Sequence, residues 1–357
     1  ICGRPIDPMS IKNARQQVSN WLLAGVIMII VQILLGGITR LTGSGLSITE
    51  WKPLMGAFPP LSKAEWNHSF AQYQQIAQFK KLNNQFTLAD YQGLFFWEWL
   101  HREWARLMGL VFVLPFLWFY YKRRFDRRTR WQLVGLFMLA ALQGLAGWLM
   151  VQSGLNDTDV SVSPIRLAVH FILALVLLAY LFWIFLSSRM RQQSELASYS
   201  IRLLTALIVF VLSIQLIYGA FMAGTHAALY APTWPDINGK FLPCSPTVAG
   251  GILQRLVNDP LLIQFVHRSL AYLLSGLTLA WYFFARRYPA HPIYRLRCYP
   301  LLFLIIQAIL GISCLLNSGT ERYIWLAMLH QVNGILLWLF MTGIFCLTYR
   351  SKVQAIG

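Results

Sequence analysis

The sequence predicts an all-α membrane protein that crosses the bilayer several times. Of its 357 residues, 57% are hydrophobic and only 12% are charged, and the mean hydropathy is +0.52. Soluble domains carry about 25% charged residues, whereas a membrane-spanning helix needs about 20 mainly apolar residues. Eight stretches meet that requirement, near residues 18–38, 94–120, 132–152, 166–187, 203–224, 261–285, 299–317 and 323–348. The first run is long and lacks a small-residue cleavage site, which favours a span over a cleaved signal peptide.

The basic residues predict the orientation of these spans. The net charge is +17, and if the spans alternate in direction, every basic cluster lies on the side that holds the N-terminus. The clusters are residues 122–130, Arg189/Arg191/Arg202, Arg286/Arg287/Arg295/Arg297 and the two tails. The opposite loops, at 39–93, 153–165, 225–260 and 318–322, hold few bases and most acids. We therefore expect both termini in the cytoplasm, with the basic clusters at anionic lipid rather than nucleic acid.

An internal repeat divides the eight spans into two halves. The odd-numbered spans carry Gln-x-x-x-Gly, at Gln32/Gly36, Gln143/Gly147, Gln215/Gly219 and Gln307/Gly311. The even-numbered spans each carry one histidine. The sequence thus predicts two tandem four-helix bundles, residues 1–195 and 196–357, related by a pseudo-twofold axis along the membrane normal. For the Gln-x-x-x-Gly motif we favour helix packing over ligand binding, because small residues and amide hydrogen bonds both join helices in membranes.

The four histidines within spans are His101, His170, His267 and His330. An ionisable side chain inside a span usually marks a functional site, although a histidine can also simply hydrogen-bond neighbouring helices. Each lies about five to seven residues, or about 8–10 Å, from the outer end of its span. At equal depth, His101 can pair with His170, and His267 with His330. Paired imidazoles on facing helices are typical of heme iron held from both sides.

Two heme sites at one depth predict a particular kind of protein. A cytochrome b that moves electrons across the bilayer stacks its hemes at different depths, whereas here electrons would pass laterally from one heme to the other. The arrangement therefore fits a protein in which one heme serves another. A diheme electron-transfer cytochrome b and a heme or solute transporter are the alternatives, although the spans lack the paired midplane Gly/Pro breaks typical of transporters.

The repeat is broken beside the first histidine pair. Glu98 lies three residues before His101, where the second half has Gln264 before His267. Residues at i and i+3 share a helix face, and a carboxylate inside a span is costly without a partner or a task. We therefore predict proton or cation chemistry at Glu98. An ion pair with Arg102 or Arg106 is a compatible alternative.

Other features are less specific. The first outer loop is long and rich in Gly, Trp and Pro, which suggests a lid over the first bundle. Arg40, at the exit of the first span, fits either a heme propionate contact or an interfacial anchor. The five cysteines form no CxxC or CxxCH motif, so neither a zinc site nor covalent heme attachment is indicated. Cys244 is the only cysteine clearly in an outer loop.

Taken together, the motifs resemble the heme A synthase family, in its mitochondrial and proteobacterial branch. The similar segments run from about residue 18 to 348, and include GGITRLTGSGLSITEW, LNNQFTLADYQGLFFWEWLHREWARLMGLVFVLP, QGLAGWLMVQSGL, RLAVH, QFVHR and LAMLHQVNG. The other branch carries cysteine pairs in its outer loops, which this chain lacks.

The resemblance implies an activity and residue roles. The reaction is oxidation of one porphyrin methyl group of heme O to a formyl group, giving heme A for cytochrome c oxidase. His101 and His170 match the histidines that flank the substrate heme, His267 and His330 match the ligands of a low-spin heme b, and Glu98 matches an acid considered essential. His226 stands where related sequences carry an acid, and we expect an interfacial role for it. His68 and His291 are interpreted as surface residues.

The resemblance also implies surroundings and partners. We expect a multi-pass protein of the bacterial cytoplasmic membrane, or alternatively of the mitochondrial inner membrane, with both heme sites near the outer face. The partners are the lipid bilayer, the heme O substrate, heme O synthase, an unidentified electron donor and a second copy in a homo-oligomer.

Overall fold

The computed structural model describes residues 8–50, 56–189, 199–243 and 251–349. Among these residues the regular elements are helices, with no strand, which confirms the all-α prediction. The helices are α1 Pro8–Leu41, α2 Lys63–Tyr73, α3 Ala77–Leu82, α4 Leu88–Tyr121, α5 Arg127–Gln152, α6 Pro164–Arg189, α7 Tyr199–Gly224, α8 Ile252–Asn258, α9 Pro260–Ala285, α10 Pro292–Leu296, α11 Tyr299–Leu316 and α12 Arg322–Tyr349. Cys2, Trp51, Arg191 and Cys244 lie outside the described residues.

Seven segments of the described chain are long and apolar enough to cross a membrane: those of α1, α4, α5, α6, α7 and α12, and one that joins α10 to α11. The remaining predicted span, residues 261–285, coincides with α9. This helix has 26 residues and is not one of the seven. Its polar residues Gln264, His267 and Arg268 lower its hydropathy. Membrane crossing by α9 therefore stays a prediction.

The two halves of the chain share one packing scheme. In the first half, α1 packs on α4 and α6, and α5 packs on α6; in the second, α7 packs on α9 and α12, and α11 packs on α12. The halves meet where α6 packs on α7 and α1 on α12. Fully buried apolar residues such as Leu22, Leu178, Ile208, Trp281 and Ile335 form a single core across that junction.

The ends of the long helices follow local sequence signals. Thr87 and Asp90 form a reciprocal capping box at the start of α4, and the carboxylate of Asp126 accepts from the Thr129 backbone N–H at the start of α5. Asp259 caps α9, which opens with Pro260. Such caps satisfy backbone donors that have no partner inside the helix, and so fix where each span begins.

The first outer loop is partly helical. Its helices α2 and α3 lie against the outer end of α4, where Tyr73, Tyr91 and Phe95 are buried against Trp66 and Phe70. The rings of Tyr73 and Tyr91 stack with centroids 5.2 Å apart. This aromatic cluster anchors the loop to α4.

Two smaller predictions are settled by the fold. His68 is exposed, as expected, but lies on helix α2 rather than in a loop. The expectation that His291 is a surface residue is wrong, because only 4% of it is exposed and its Nδ1 accepts the backbone N–H of Ile293 at the start of α10. Cys298 and Cys314 are free thiols.

Candidate functional site: two histidine pairs

The second histidine pair lies between α9 and α12. The ring centroids of His267 and His330 are 6.3 Å apart and the ring planes are tilted by 60°. An iron bound by two axial imidazoles separates their ring centres by about 6 Å, with about 2 Å for each iron–nitrogen bond and about 1 Å from nitrogen to centroid. The spacing of this pair therefore fits axial ligation of one heme iron. Among the described residues no cluster of three or more metal-binding side chains occurs.

The first histidine pair occupies the equivalent position between α4 and α6. The helices that carry His101 and His170 both pack on α1, as the helices that carry His267 and His330 both pack on α7. The pairing of His267 with His330 deduced from the repeat agrees with their spacing, and the pairing of His101 with His170 stays a prediction.

The Gln-x-x-x-Gly motif of a neighbouring helix contacts each of the four paired histidines. The glutamine Nε2 lies 3.2 or 3.3 Å from an imidazole nitrogen in each of four contacts: Gln32–His101, Gln143–His170, Gln215–His267 and Gln307–His330. Helix packing was the predicted role of this motif, and its contact with the histidines was not predicted. The alternation of Gln-x-x-x-Gly spans with histidine spans was the signal that could have found it.

The motif's glycines make room for the same imidazoles. A Cβ added to Gly36, Gly147 or Gly311 would lie 3.0, 2.9 or 2.8 Å from the Cε1 atom of the facing histidine, and one at Gly219 would lie 3.9 Å away. Distances below about 3 Å are too short for two carbons, because close-packed carbon atoms lie about 3.5–4.0 Å apart. Each glycine except Gly219 is therefore required sterically by the histidine opposite.

Several polar atoms at these sites are buried without a hydrogen-bond partner. In the described part of the chain they include Oε1 of Gln32, Gln143 and Gln215, and Nδ1 of His267. Buried polar groups are normally paired, and exceptions often point to a bound group. At the second pair, unpaired atoms next to imidazoles spaced for iron fit a bound heme. The first pair shares the unpaired glutamine oxygens, at Gln32 and Gln143.

Glu98 is buried, with 2% of its surface exposed, and its carboxylate is fully engaged. Oε2 accepts from the Ser47 hydroxyl at 2.8 Å and the Ile48 backbone N–H at 2.9 Å, and Oε1 accepts from Arg102 Nη2 at 2.6 Å. The predicted ion pair with Arg102 is present, while Arg106 pairs with Glu103. The structure thus ties Glu98 to the first outer loop, one helical turn from His101.

Gln264 likewise contacts a loop and the following arginine in the second half, but it donates to the loop backbone, whereas Glu98 accepts from it. Its Nε2 donates to the carbonyls of Ala227 at 2.7 Å and Ala231 at 3.3 Å, and its Oε1 accepts from Arg268 at 2.5 Å. The backbone facing Glu98 offers an N–H, whereas the backbone facing Gln264 offers carbonyls. The two side chains are therefore matched to different loops rather than interchangeable.

Arg40 connects the two halves. Its Nη2 donates to the carbonyls of Ala223 and Gly224, at 2.8 and 3.1 Å, and to Nε2 of His226 at 2.9 Å. Partial desolvation and the Arg40 cation lower the pKa of His226 to about 4, so its imidazole is a neutral acceptor at neutral pH. Both residues serve the junction between α1 and α7. Nε of Arg40 is buried without a hydrogen-bond partner among the described residues, so the heme propionate role for Arg40 stays a prediction.

Comparison with known proteins identifies the family of this chain. Residues 19–342 match the COX15-CtaA family model, described as cytochrome oxidase assembly protein. A protein of Bartonella henselae named heme A synthase is 38% identical over 329 residues, covering 91% of this chain and 90% of that protein. Proteins of the same name from Methylobacterium sp. and Cereibacter sphaeroides are 39% and 34% identical, covering 93% and 96% of this chain and 94% and 91% of theirs. The chain belongs to the COX15-CtaA family of cytochrome oxidase assembly proteins.

Proposed function

We propose that this protein is a heme A synthase, a membrane oxidoreductase that converts heme O to heme A for cytochrome oxidase. The observation that carries the proposal is the heme-spaced pair His267 and His330, in a chain of this family whose repeat has a second pair of histidines at the equivalent place. Its many apolar helices make it a multi-pass membrane protein. The bacterial relatives suggest the inner membrane, with the mitochondrial inner membrane as the alternative.

We assign the two histidine pairs different tasks. His101 and His170 would hold the substrate heme, and His267 and His330 would ligate a resident heme b. When bound, heme b supplies one-electron redox chemistry next to the substrate site. The chain's own residues orient both macrocycles: Gln-x-x-x-Gly fixes each imidazole, because its amide contacts the ring and its glycine leaves space for it.

Glu98 is proposed as the catalytic carboxylate of the first half. Oxidising a methyl group to a formyl group moves protons and develops positive charge at the carbon, and a buried carboxylate nearby can stabilise that charge or accept a proton. Its three hydrogen bonds from Ser47, Ile48 and Arg102 support a fixed position of the carboxyl group. They also tie the loop after α1 to the helix that carries His101.

The arrangement in the membrane is part of the proposal. Eight spans, with α9 as the sixth, would form an N-terminal bundle in residues 1–195 and a C-terminal bundle in residues 196–357. Both termini would face the cytoplasm, and the histidines would lie near the outer face. The basic loops on one side of the alternating spans support this orientation. Heme O synthase, an electron donor and a second copy of the chain are proposed partners.

Extraction of the pigments separates this function from the diheme cytochrome alternative. An enzyme purified from membranes that make heme O should release heme B together with heme O or heme A, whereas an electron-transfer cytochrome should release heme B alone. Only heme B, from membranes rich in heme O, would refute the enzyme.

The assignment of the resident heme is tested separately. Replacing His267 or His330 with alanine removes an axial ligand, and should abolish the low-spin bis-histidine spectrum while His101→Ala retains it. An unchanged spectrum in both second-half variants would show that heme b lies elsewhere.

A further inference from the structure

The two bundles differ in the packing of two helix pairs, α4 with α5 in the first half and α9 with α11 in the second. In the second half, α9 packs directly on α11 and completes the bundle. In the first half, the corresponding helices α4 and α5 have no comparable packing, although both pack firmly on their other neighbours. Near their inner ends, the rings of Phe116 and Phe137 meet with centroids 5.1 Å apart. The first bundle is therefore open toward the lipid between that aromatic pair and the level of the histidines.

Small residues border this opening. On α4, Ala105 and Gly109 lie on the helix face of Phe116, and on α5, Ala141 and Gly144 lie on the face of Phe137, because residues three and four apart share a face. All four are exposed, and nothing lies within 4 Å of a Cβ added to either glycine. We call the space between these two faces the α4–α5 slot.

The slot leads directly to the first histidine pair. Ala105 is one helical turn from His101 on the same face, and Gly144 follows Gln143, whose amide contacts His170. From His101 to Phe116 the helix rises about 22 Å, at about 1.5 Å per residue. A molecule bound at the histidines would thus lie beside helix faces of small, exposed residues that extend over much of this length.

The repeat shows that this space is specific to the first half. In the second half, aligned on its histidines and glutamines, Ser275 replaces Gly109, Ile305 replaces Ala141 and Ala308 replaces Gly144. Each replacement is bulkier. Both halves need room for a porphyrin ring under the proposed function, so the ring alone does not explain the difference.

We propose that the α4–α5 slot binds the long apolar side chain of the substrate heme and admits that heme from the lipid. The inference rests on the proposed function, in which the first half takes a porphyrin with an isoprenoid tail and the second keeps a tail-less one. A tail lying in the slot buries apolar surface of both partners between α4 and α5 and positions the ring between His101 and His170. The tail thereby selects the substrate.

The test compares two probes, heme O and tail-less heme B, titrated into purified protein whose second-half site is already saturated with heme B. The variant Gly109→Leu/Gly144→Leu fills the slot with side chains that have space and suit a helix facing lipid. Its affinity for heme O should fall by about tenfold or more, while its affinity for heme B at the first site changes by less than about twofold. The control Gly276→Leu adds leucine at a glycine of α9 that is equally free of neighbours, and should change neither.

Unchanged heme O affinity in the double variant would overturn the proposal, and would leave the slot as a place for ordinary lipid chains. If the double variant loses its second-half heme, Gly109→Ser and Gly144→Ala copy the second half and should give a smaller, graded loss of heme O affinity. Heme O with a photoreactive group on its tail should label residues 137–148, and labelling confined to other helices would also overturn it. A chain that binds heme O through the slot but forms no heme A would refute the proposed function alone.

Discussion

Replacing Glu98 with glutamine tests whether the carboxylate is required by chemistry, by the loop that it holds, or by both. The side chain keeps its volume, but its hydrogen-bond pattern no longer fits. If the amide oxygen accepts from Arg102, as that of Gln264 does from Arg268, the NH₂ group faces Ser47 and Ile48. The Ser47 hydroxyl can rotate to accept, but the Ile48 N–H is a donor and is left without an acceptor.

The cost follows from that one unsatisfied donor. A buried polar group without its partner costs about 1–3 kcal/mol. The opposite amide orientation would leave Arg102 without its carboxylate, and breaking a buried ion pair costs about 3–5 kcal/mol, so the first orientation is favoured. Opening of the loop at residues 43–50 should therefore become about 5- to 150-fold more favourable. The second half contains none of the altered contacts and should keep its heme b.

Two measurements on the same variant check this. Native-state hydrogen exchange at residues 43–50 should accelerate by the factor above, and chromatography of extracted hemes should show heme A lost while heme O or a hydroxylated intermediate accumulates. Ser47→Ala removes one neutral hydrogen bond and leaves the charge, so it loosens the loop without altering the chemistry of Glu98. Gln264→Glu in the Glu98→Gln background should not restore heme A, because it places a carboxylate against the Ala227 and Ala231 carbonyls.

The outcome separates the two roles. Heme A lost in Glu98→Gln but retained in a comparably loosened Ser47→Ala assigns the charge or proton of Glu98 to the reaction, whereas equal loss assigns it to loop closure. Wild-type heme A and unchanged exchange in Glu98→Gln would refute both the catalytic assignment and the hydrogen-bond reasoning.

Two further predictions concern the histidine sites and the junction of the halves. Gly311→Ala places a Cβ 2.8 Å from Cε1 of His330 and should lower the heme b content of the purified protein. In the control Gly219→Ala the added Cβ lies 3.9 Å from Cε1 of His267, so this variant should retain its heme b. Equal heme b content in the two variants would refute the steric reasoning. The pKa of His226 is lowered from 6.5 to about 4, so the unfolded chain takes up a proton at a higher pH than the folded one. The contribution of His226 to stability is therefore complete above about pH 6.5 and declines as the pH falls toward 4. The loss is about 1 kcal/mol, because solvent screens the exposed ring. His226→Asn suits the left-handed backbone there, with φ of 51°, and should flatten this part of the pH profile of thermal inactivation; an unchanged profile would show that the contact with Arg40 does not titrate.

How far the sequence reaches is clearest at the histidines and at Glu98. The pairing of His267 with His330 followed from the repeat alone, because equal depth in alternate spans leaves one partner in each bundle. The ion pair of Glu98 with Arg102 was an open alternative, since both residues share one helix and their spacing permits it. Whether Glu98 also contacts a loop depends on chain about 50 residues away, which spacing along one helix cannot show.

The sequence by itself determined the helical class, the twofold repeat and the residues of the histidine sites, because apolar length and residue periodicity are local properties of the chain. Only the tertiary structure decided which side chains meet: that the Gln-x-x-x-Gly motif contacts the histidines, that Arg40 contacts the end of α7, that His291 is buried, and that α4 and α5 do not pack together as α9 and α11 do. These features depend on how helices distant in sequence rotate and approach, and close packing fixes that for all of them together.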